Sequence, residues 1–223
     1  MMDRIPEPEL MNEPAQAQAY AHADFAIPHN LFISLFQQKF PGLKIINDAV
    51  LDLGCGPADI SRRFVQAYPH CHVHGVDGAQ AMLEFGHELN QQAGLSHRIQ
   101  LIEACLPGIE LPQKFYHVII SNSLLHHLHD PYVLWDTIRQ HARPFAHVFI
   151  MDLVRPETKQ EAKQLTQQYA ADEPRVLQDD FYHSLCAAFT PDEVQQQLEE
   201  MALSTLNVEV VSDRHMIIYG RLS

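Results

Sequence analysis

The residues best suited to bind a ligand lie where the apolar run Val50–Leu53 meets two glycines, Gly54 and Gly56, with Asp52 just before them. This pattern predicts a buried parallel strand that ends in a tight turn. Glycine allows positive φ values there and lets a ligand approach the main chain closely. A helix is predicted to follow, and its free N–H groups and positive dipole end would add to the site. The turn therefore indicates a nucleotide-like cofactor.

The residue after the turn argues against a dinucleotide. The dinucleotide fingerprint has a third glycine three residues after the second, but Asp59 stands at that position. A carboxylate there would repel a pyrophosphate. S-adenosylmethionine (SAM) carries no phosphate and presents an ammonium, a ribose diol and an adenine, so Asp52 could hold the ammonium directly or through water.

The stretch Leu51-Asp52-Leu53-Gly54-Cys55-Gly56 closely resembles the first motif of class I SAM-dependent methyltransferases. The resemblance implies SAM as cofactor and S-adenosylhomocysteine (SAH) as product. It also implies that Asp52, Gly54, Cys55 and Gly56 contact the cofactor. The alternative is a glycine-rich turn that binds nothing.

A second acid, Asp77, ends the next predicted strand, about 20 residues after the glycine turn, near the interval at which such folds bind a ribose diol. A carboxylate suits that task because it can accept two hydroxyl hydrogen bonds. The alternative role for Asp77 is to cap the following helix. The resemblance adds Gly78 and places Met82 against adenine or ribose, although a Met at helical spacing is more often plain core.

The adenine end departs from the family pattern. An acid commonly follows the third strand, but Ala104 and Cys105 stand there, with Glu103 as a substitute if the register shifts by two. Asn122 and Ser123 end the fourth predicted strand, at the edge where open α/β sheets place ligands. We count Ala104, Cys105, Asn122 and Ser123 among the cofactor-binding candidates.

The segment from Ser123 to Pro131, which contains His126 and His127, resembles that of the ubiquinone/menaquinone-biosynthesis group of small-molecule methyltransferases. Methyl transfer needs a general base only if the acceptor must lose a proton, and imidazole titrates near working pH. His126 and His127 are the catalytic candidates, with Asp152 as orienting partner or second base. We expect one histidine to face the pocket and the other to pack. Alternatively, both only cap the loop or line the cofactor site.

Other candidates are weaker. His72 and His74 share a strand face but lack an evident third ligand, so no metal site is predicted. Five polar side chains in the leader and in the predicted cap are candidates for the acceptor pocket, with ordinary packing as the alternative: Tyr20, Arg155, Tyr169, Tyr182 and His183.

The net charge and the composition limit the classes of partner that can be expected. The 223 residues carry a formal net charge of −13, which argues against duplex nucleic acid and anionic membrane surfaces. The strand-four end also lacks the (Asn/Asp)-Pro-Pro-(Tyr/Phe) sequence typical of amino methylation of nucleobases and glutamine. No apolar run has the length of a membrane span, residues 1–10 lack an apolar signal core, and the four cysteines show no CxxC spacing. We expect a cytoplasmic protein with a small-molecule acceptor, and a homodimer remains open.

The periodicity predicts an α/β fold: a Rossmann-like, seven-stranded class I methyltransferase sheet with an antiparallel last strand, N-terminal helices and a helical cap. Residues 1–44 would form a helical leader or lid, and 45–223 the methyltransferase domain, with 155–189 inserted as the cap. The leading hypothesis is methyl transfer from SAM to oxygen, carbon or nitrogen of a small molecule. The main alternative is a SAM-binding regulatory or scaffold protein without turnover, which the missing acid at Cys105 keeps open.

Overall fold

A seven-stranded sheet forms the centre of the protein, in a computed structural model that describes residues 2–8, 10 and 13–223. The strand order is β3-β2-β1-β4-β5-β7-β6. Strands β1 to β5 are parallel, and β7 runs antiparallel to both β5 and β6. The strand bounds are β1 Ala49–Leu53, β2 His72–Asp77, β3 Ile99–Glu103, β4 Tyr116–Asn122, β5 Ala142–Leu153, β6 Leu206–Val210 and β7 His215–Arg221.

Helices cover the sheet and continue as a cap beyond it. Their bounds are α1 Pro14–His22, α2 Ala26–Lys39, α3 Asp59–Ala67, α4 Gln80–Gln92, α5 Tyr132–His141, α6 Lys159–Ala170, α7 Arg175–Ala187 and α8 Pro191–Glu200. A single 3₁₀ turn, Leu125–His127, precedes α5. Within the described residues, none of the helices combines the length and apolarity that crossing a bilayer requires. The sheet, its antiparallel last strand and the flanking helices confirm the predicted fold class.

Most predicted elements agree with the structure to within a few residues, and β1 and α4 agree at both ends. The main difference is α2, which was expected from Leu31 and begins at Ala26. The carboxylate of Asp24 accepts a hydrogen bond from the Ala26 N–H at 2.9 Å, and Pro28 lies in the first turn, where its missing N–H leaves no bond unmade.

Three other boundaries also moved. The first helix, expected over 11–25, covers Pro14–His22, and residues 11 and 12 lie outside the described part of the chain. Helix α5 begins at Tyr132, whose N–H donates to Asp130 Oδ1, instead of at Pro131. Strand β5 starts at Ala142, three residues early, and its pairing with β4 is irregular there.

A cluster of aromatic rings fixes α2 and α3 to one face of the sheet. Phe36 of α2 lies 4.9 Å from Phe64 of α3 and 5.5 Å from Phe149 of β5, measured between ring centroids. Phe32 packs edge-on against Phe149 at 4.9 Å. These four phenylalanines are fully buried. The cluster holds the beginning of α2 above the carboxyl ends of the central strands.

The cap consists of α6 and α7, which pack on each other, as the helical pattern with a break at 172–174 predicts. The N-terminal segment 2–8 runs along it. The N–H of Met2 donates to the carbonyl of Glu157 at 2.8 Å, and the N–H of Ile5 donates to that of Cys186 at 3.0 Å. The start of the described chain is thereby attached to the cap. Helix α1 packs against α4 and α7.

Candidate active site

The turn after β1 has the backbone geometry that its glycines predict. Gly54 has φ +70°, and a Cβ there would lie 2.8 Å from the side chain of Leu124. Gly56 has φ +50°, and a Cβ there would meet nothing within 4 Å. Gly54 therefore serves close packing, whereas Gly56 borders open space that a ligand can enter.

Asp77 at the end of β2 is joined to this turn. One carboxylate oxygen accepts the N–H of Gly56 at 2.8 Å, and the other accepts the N–H of Ala79 at 2.8 Å. Burial raises the pKa of Asp77, and the two backbone donors partly oppose that rise. The expected proximity of Asp77 to the glycines is thus present. The alternative role of Asp77 as the N-cap of α4 is not observed: Ala79 occupies the N-cap position, and no side chain among the described residues caps the helix.

Asp52 in β1 is a buried carboxylate that faces the same space. The hydroxyl of Ser61 in α3 donates to it at 2.5 Å. Burial raises the pKa of Asp52 to about 7, with a smaller contribution from Asp77, while the Ser61 hydrogen bond lowers it. A cation bound beside Asp52 would favour the ionised form.

A cavity of about 230 Å³ lies over the turn. Every cofactor-binding residue proposed from the sequence lines it: Asp52, Gly54, Cys55, Gly56, Asp77, Gly78, Met82, Ala104, Cys105, Asn122 and Ser123. Glu103, the register-shifted substitute, is not among the lining residues. The structure thus brings together residues from the ends of four strands.

Asn122 brings a buried polar atom into this wall. The side-chain oxygen of Asn122 is buried and has no hydrogen-bond partner among the described residues. The amide nitrogen of Asn122 donates to Ser123 Oγ at 3.1 Å, and Ser123 itself adopts φ +56°. An unpaired buried acceptor is costly, and an ammonium donor would satisfy it. Together with Asp52, it suits the amino-acid end of SAM, while Asp77 suits the ribose diol.

A second cavity, of about 300 Å³, adjoins the first between the sheet edge and the cap. The two cavities share part of their walls, formed by seven residues: Tyr20, Asp24, Phe25, His29, Asn122, Ser123 and His127. The far wall combines apolar side chains with a buried carboxylate oxygen of Asp180, which forms no hydrogen bond within the described part of the chain. Ligands in the two cavities would therefore both border this shared wall.

His126, His127 and Asp152 lie together where the two cavities meet the cap. The Nδ1 of His126 bonds to Asp152 Oδ1 at 2.7 Å, and the other carboxylate oxygen accepts the N–H of Leu125 at 2.8 Å. Asp152 is therefore placed to orient His126, as the sequence suggests. The two imidazole rings are 4.3 Å apart between centroids.

Both histidines turn a ring nitrogen toward Glu7 of the N-terminal segment, at 3.6 Å for His126 Nε2 and 3.3 Å for His127 Nδ1. Burial lowers the pKa of His126, but the carboxylates of Asp152 and Glu7 outweigh it and raise the pKa above its ordinary value. Burial and the neighbouring His126 lower the pKa of His127 to about 3. The expected division, with one histidine facing the pocket and the other packing, is not what these contacts show.

Comparison with known proteins agrees with this geometry. Residues 50–145 match a family model described as a methyltransferase domain. A SAM-dependent methyltransferase from Aquifex aeolicus has the same fold, with a TM-score of 0.66 at 19% identity over 95% of this chain and 99% of that chain. Residues 50–145 thus match a methyltransferase domain, and the chain has the Rossmann-like fold of SAM-dependent methyltransferases.

Two further similar proteins match this chain over different shares of their length. The malonyl-[acyl-carrier protein] O-methyltransferase of Legionella pneumophila is 29% identical over 89 residues, 40% of this chain and 30% of that protein. The chain spans 30% to 39% of the length of the curated relatives that it matches. The plantazolicin methyltransferase BpumL, crystallised with SAH and a pentazolic desmethylplantazolicin analogue, has a TM-score of 0.71 at 13% identity over 95% of this chain and 92% of that chain.

Sequence reasoning on the methyltransferase domain missed two groups. Asp59 was considered only for its repulsion of phosphate. It is bound to His29 of α2 at 2.6 Å and to Arg63 at 2.7 Å, and these partners keep its pKa well below the ordinary range despite its burial. Glu7 was not considered, because its segment has no periodic pattern and meets the histidines only in the fold.

Only part of the predicted acceptor pocket lines the second cavity. Tyr20 and Tyr169 do so, whereas Arg155, Tyr182 and His183 do not. Arg155 instead donates to Glu193 at 2.6 Å and to the carbonyl of Ala188 at 3.1 Å. Its sequence position, just after β5, could not show that the capping box of α8 would supply the partner.

Proposed function

We propose that the protein binds SAM in the first cavity and transfers its methyl group to a small molecule held in the second. The single observation that carries the proposal is the shared wall of the two cavities, which would place donor and acceptor side by side. SAM supplies an already activated methyl group for in-line displacement at carbon. The residues of the chain then align the two molecules and exclude water, which can lower a barrier by several kcal/mol.

The cofactor end would be held by charge and by hydrogen bonds. Asp52 and the side-chain oxygen of Asn122 would take the ammonium, and Asp77 would accept the ribose hydroxyls while it keeps the Gly56 N–H. Gly56 would leave room for the part of SAM that connects the ammonium-bearing carbon to the ribose. Met82, Ala104 and Cys105 would line the adenine end, where the described residues include no acid at the family's usual position after β3.

The acceptor is best described by the walls of the second cavity. Phe25, Met151 and Phe181 supply apolar surface, and Asp180 presents a buried carboxylate oxygen that has no hydrogen-bond partner among the described residues. We propose an acceptor with an apolar body and at least one hydrogen-bond donor. A general base is not needed for this proposal, and proton removal by His126 or His127, oriented by Asp152, stays a prediction.

Calorimetric titration with SAH tests cofactor binding, and a screen of small-molecule extracts with methyl-labelled SAM tests transfer. We expect one SAH per chain and at least one labelled small molecule. Absence of heat with SAH at sub-millimolar concentration would contradict the cofactor assignment. Tight SAH binding with no labelled product in any extract would favour the alternative, a SAM-binding regulatory or scaffold protein.

A further inference from the structure

Three side chains that offer metal-ligand atoms converge where the N-terminal segment crosses the 3₁₀ turn: Glu7, His126 and His127. Their ligand atoms all lie within 4.8 Å of one another. Glu7 Oε1 is 3.6 Å from His126 Nε2 and 3.3 Å from His127 Nδ1. No carboxylate–histidine spacing in the sequence indicates this group, because Glu7 lies far from the histidines along the chain.

These contacts have the separations of ligands around an ion. Two ligands bound to one Zn²⁺ at about 2.05 Å with a tetrahedral angle lie about 3.3 Å apart. The buried Nδ1 of His127 has no hydrogen-bond partner among the described residues. The distance from Glu7 to His126 Nε2 exceeds a normal hydrogen bond. Both nitrogens therefore lie within ion-pair distance of the carboxylate, but neither forms a hydrogen bond with it.

Supporting residues fix the ligands. His126 donates its Nδ1–H to Asp152, which leaves the lone pair of Nε2 free for a metal, as in carboxylate–histidine–metal triads. The hydroxyl of Ser184 in α7 donates to Glu7 at 2.9 Å. Each of these two ligands thus has an outer partner of the kind that orients metal-binding side chains.

The backbone around Glu7 is held as well. Arg4 donates to the carbonyls of His126 at 2.9 Å, Leu128 at 2.8 Å and Ala187 at 2.6 Å. Its guanidinium also lies 4.0 Å from the centroid of the Phe189 ring. Arg4 is the cation nearest to Glu7 in the sequence, and its Nε and Nη2 groups donate to these carbonyl oxygens. Glu7 is therefore delivered to the histidines by an anchored segment.

We propose that Glu7, His126 and His127 bind one divalent transition-metal ion, with Zn²⁺ as the fitting probe. Two imidazoles and one carboxylate form a common ligand set for such ions, and three protein ligands leave a fourth position open. His126 and His127 line the second cavity. In a step that rests on the proposed function, the open position would hold an oxygen of the acceptor and favour its deprotonated form.

The test is a calorimetric titration of zinc chloride into the full-length protein, freed of metals beforehand, with a weak competing chelator and without SAM or SAH. We expect one Zn²⁺ per chain. Glu7→Gln and His127→Gln should each weaken the affinity by at least about 100-fold, since each removes a direct ligand. His70→Gln and Glu110→Gln, both at exposed positions, should bind Zn²⁺ like the unmodified protein.

Circular dichroism and thermal unfolding show that each variant is folded. If His127→Gln fails to fold, Glu7→Gln alone decides, because its side chain lies in the non-helical N-terminal segment. The proposal is overturned if the unmodified protein binds no Zn²⁺, if Glu7→Gln binds as tightly as it does, or if His70→Gln loses as much affinity. Because the titration contains no cofactor, its outcome is independent of methyl transfer, which the labelled-SAM screen reports separately.

Discussion

The carboxylate of Asp77 and the backbone N–H of Gly56 are joined by a hydrogen bond of 2.8 Å. This bond connects the end of β2 to the glycine turn that follows β1. The second oxygen of the same carboxylate accepts the N–H of Ala79. Asp77 thus sets the turn and the start of α4 in register while its negative charge faces the first cavity.

We expect Asp77→Asn to weaken SAH binding by about 10- to 100-fold. The amide offers one acceptor oxygen where two N–H groups are now satisfied, and charge-assisted hydrogen bonds contribute about 1.5–3 kcal/mol. Calorimetric titration measures the change. Glu103→Gln is the matched control, because Glu103 pairs with Asp77 across the sheet, is exposed and does not line the cavity. Equal affinities for the two variants would contradict the role of Asp77.

Three Gly→Ala substitutions distinguish the cost of backbone strain from the loss of space for the cofactor. Gly56→Ala and Gly108→Ala both place a Cβ at positive φ with open space around it, but only Gly56 lines the cavity. Each should lose about 1–2 kcal/mol of unfolding free energy, and only Gly56→Ala should also lose SAH affinity. Gly54→Ala should destabilise the fold more than either because its Cβ meets Leu124. Denaturant titration and calorimetry measure the two effects, and an SAH affinity in Gly56→Ala that matches Gly108→Ala would refute the assignment.

Because of Asp52, the free energy of unfolding should decrease as the pH rises from about 4 to about 7. Its pKa rises from 3.8 to about 7 on folding, so over this range the folded state retains a proton that the unfolded state releases. One such group changes the unfolding free energy by at most about 1.4 kcal/mol per pH unit. Urea titrations at pH 5 and pH 7 should show a smaller decline in Asp52→Asn than in the unmodified protein. An unchanged decline would show that Asp52 is not the group responsible.

The same carboxyl predicts proton release on cofactor binding. An ammonium beside Asp52 favours its ionised form, so SAH binding at pH 6 should release a proton from the protein. Titrations in two buffers of different ionisation enthalpy measure that release. Asp52→Asn should reduce it, and equal apparent enthalpies in both buffers for the unmodified protein would exclude it.

We expect the loss of one ring from the aromatic cluster to destabilise the fold strongly. Phe36→Ala should cost about 3–5 kcal/mol of unfolding free energy, since it removes a fully buried ring that contacts Phe64 and Phe149. Phe115→Ala, whose side chain is 41% exposed, should change the unfolding free energy by less than about 1 kcal/mol. Urea unfolding compares them, and similar midpoints would contradict the role of the cluster in holding α2.

The sequence predicted the parts of the fold that local patterns dictate. Apolar runs and glycines marked β1 and its turn, and Asp77 could be paired with them because neighbouring parallel strands end at the same edge of a sheet. Thr190 and Glu193 marked the start of α8, where the structure shows both hydrogen bonds of a capping box. In each case the decisive contacts lie within one element or between adjacent strands.

What could not be predicted depends on contacts between distant segments. Glu7 lies in a segment without helix or strand, so nothing local indicates that it docks against His126 and His127. The sequence analysis assigned no role to His29, and its partner Asp59 lies about 30 residues further along the chain, after the glycine turn. Four of the seven residues in the wall shared by the two cavities likewise lie around the junction of α1 and α2, whose placement depends on the phenylalanines that bury α2.

That junction has a kinetic consequence. Tyr20, Asp24 and Phe25 line both cavities, so an outward movement of this corner would open the proposed cofactor and acceptor sites together. Closing of such loops and departure of products often limit enzyme turnover. We therefore expect the steady-state rate of the proposed methyl transfer to decrease as the viscosity of the medium increases. Such a dependence is typical of enzymes in which opening of the protein to release product is the slowest step.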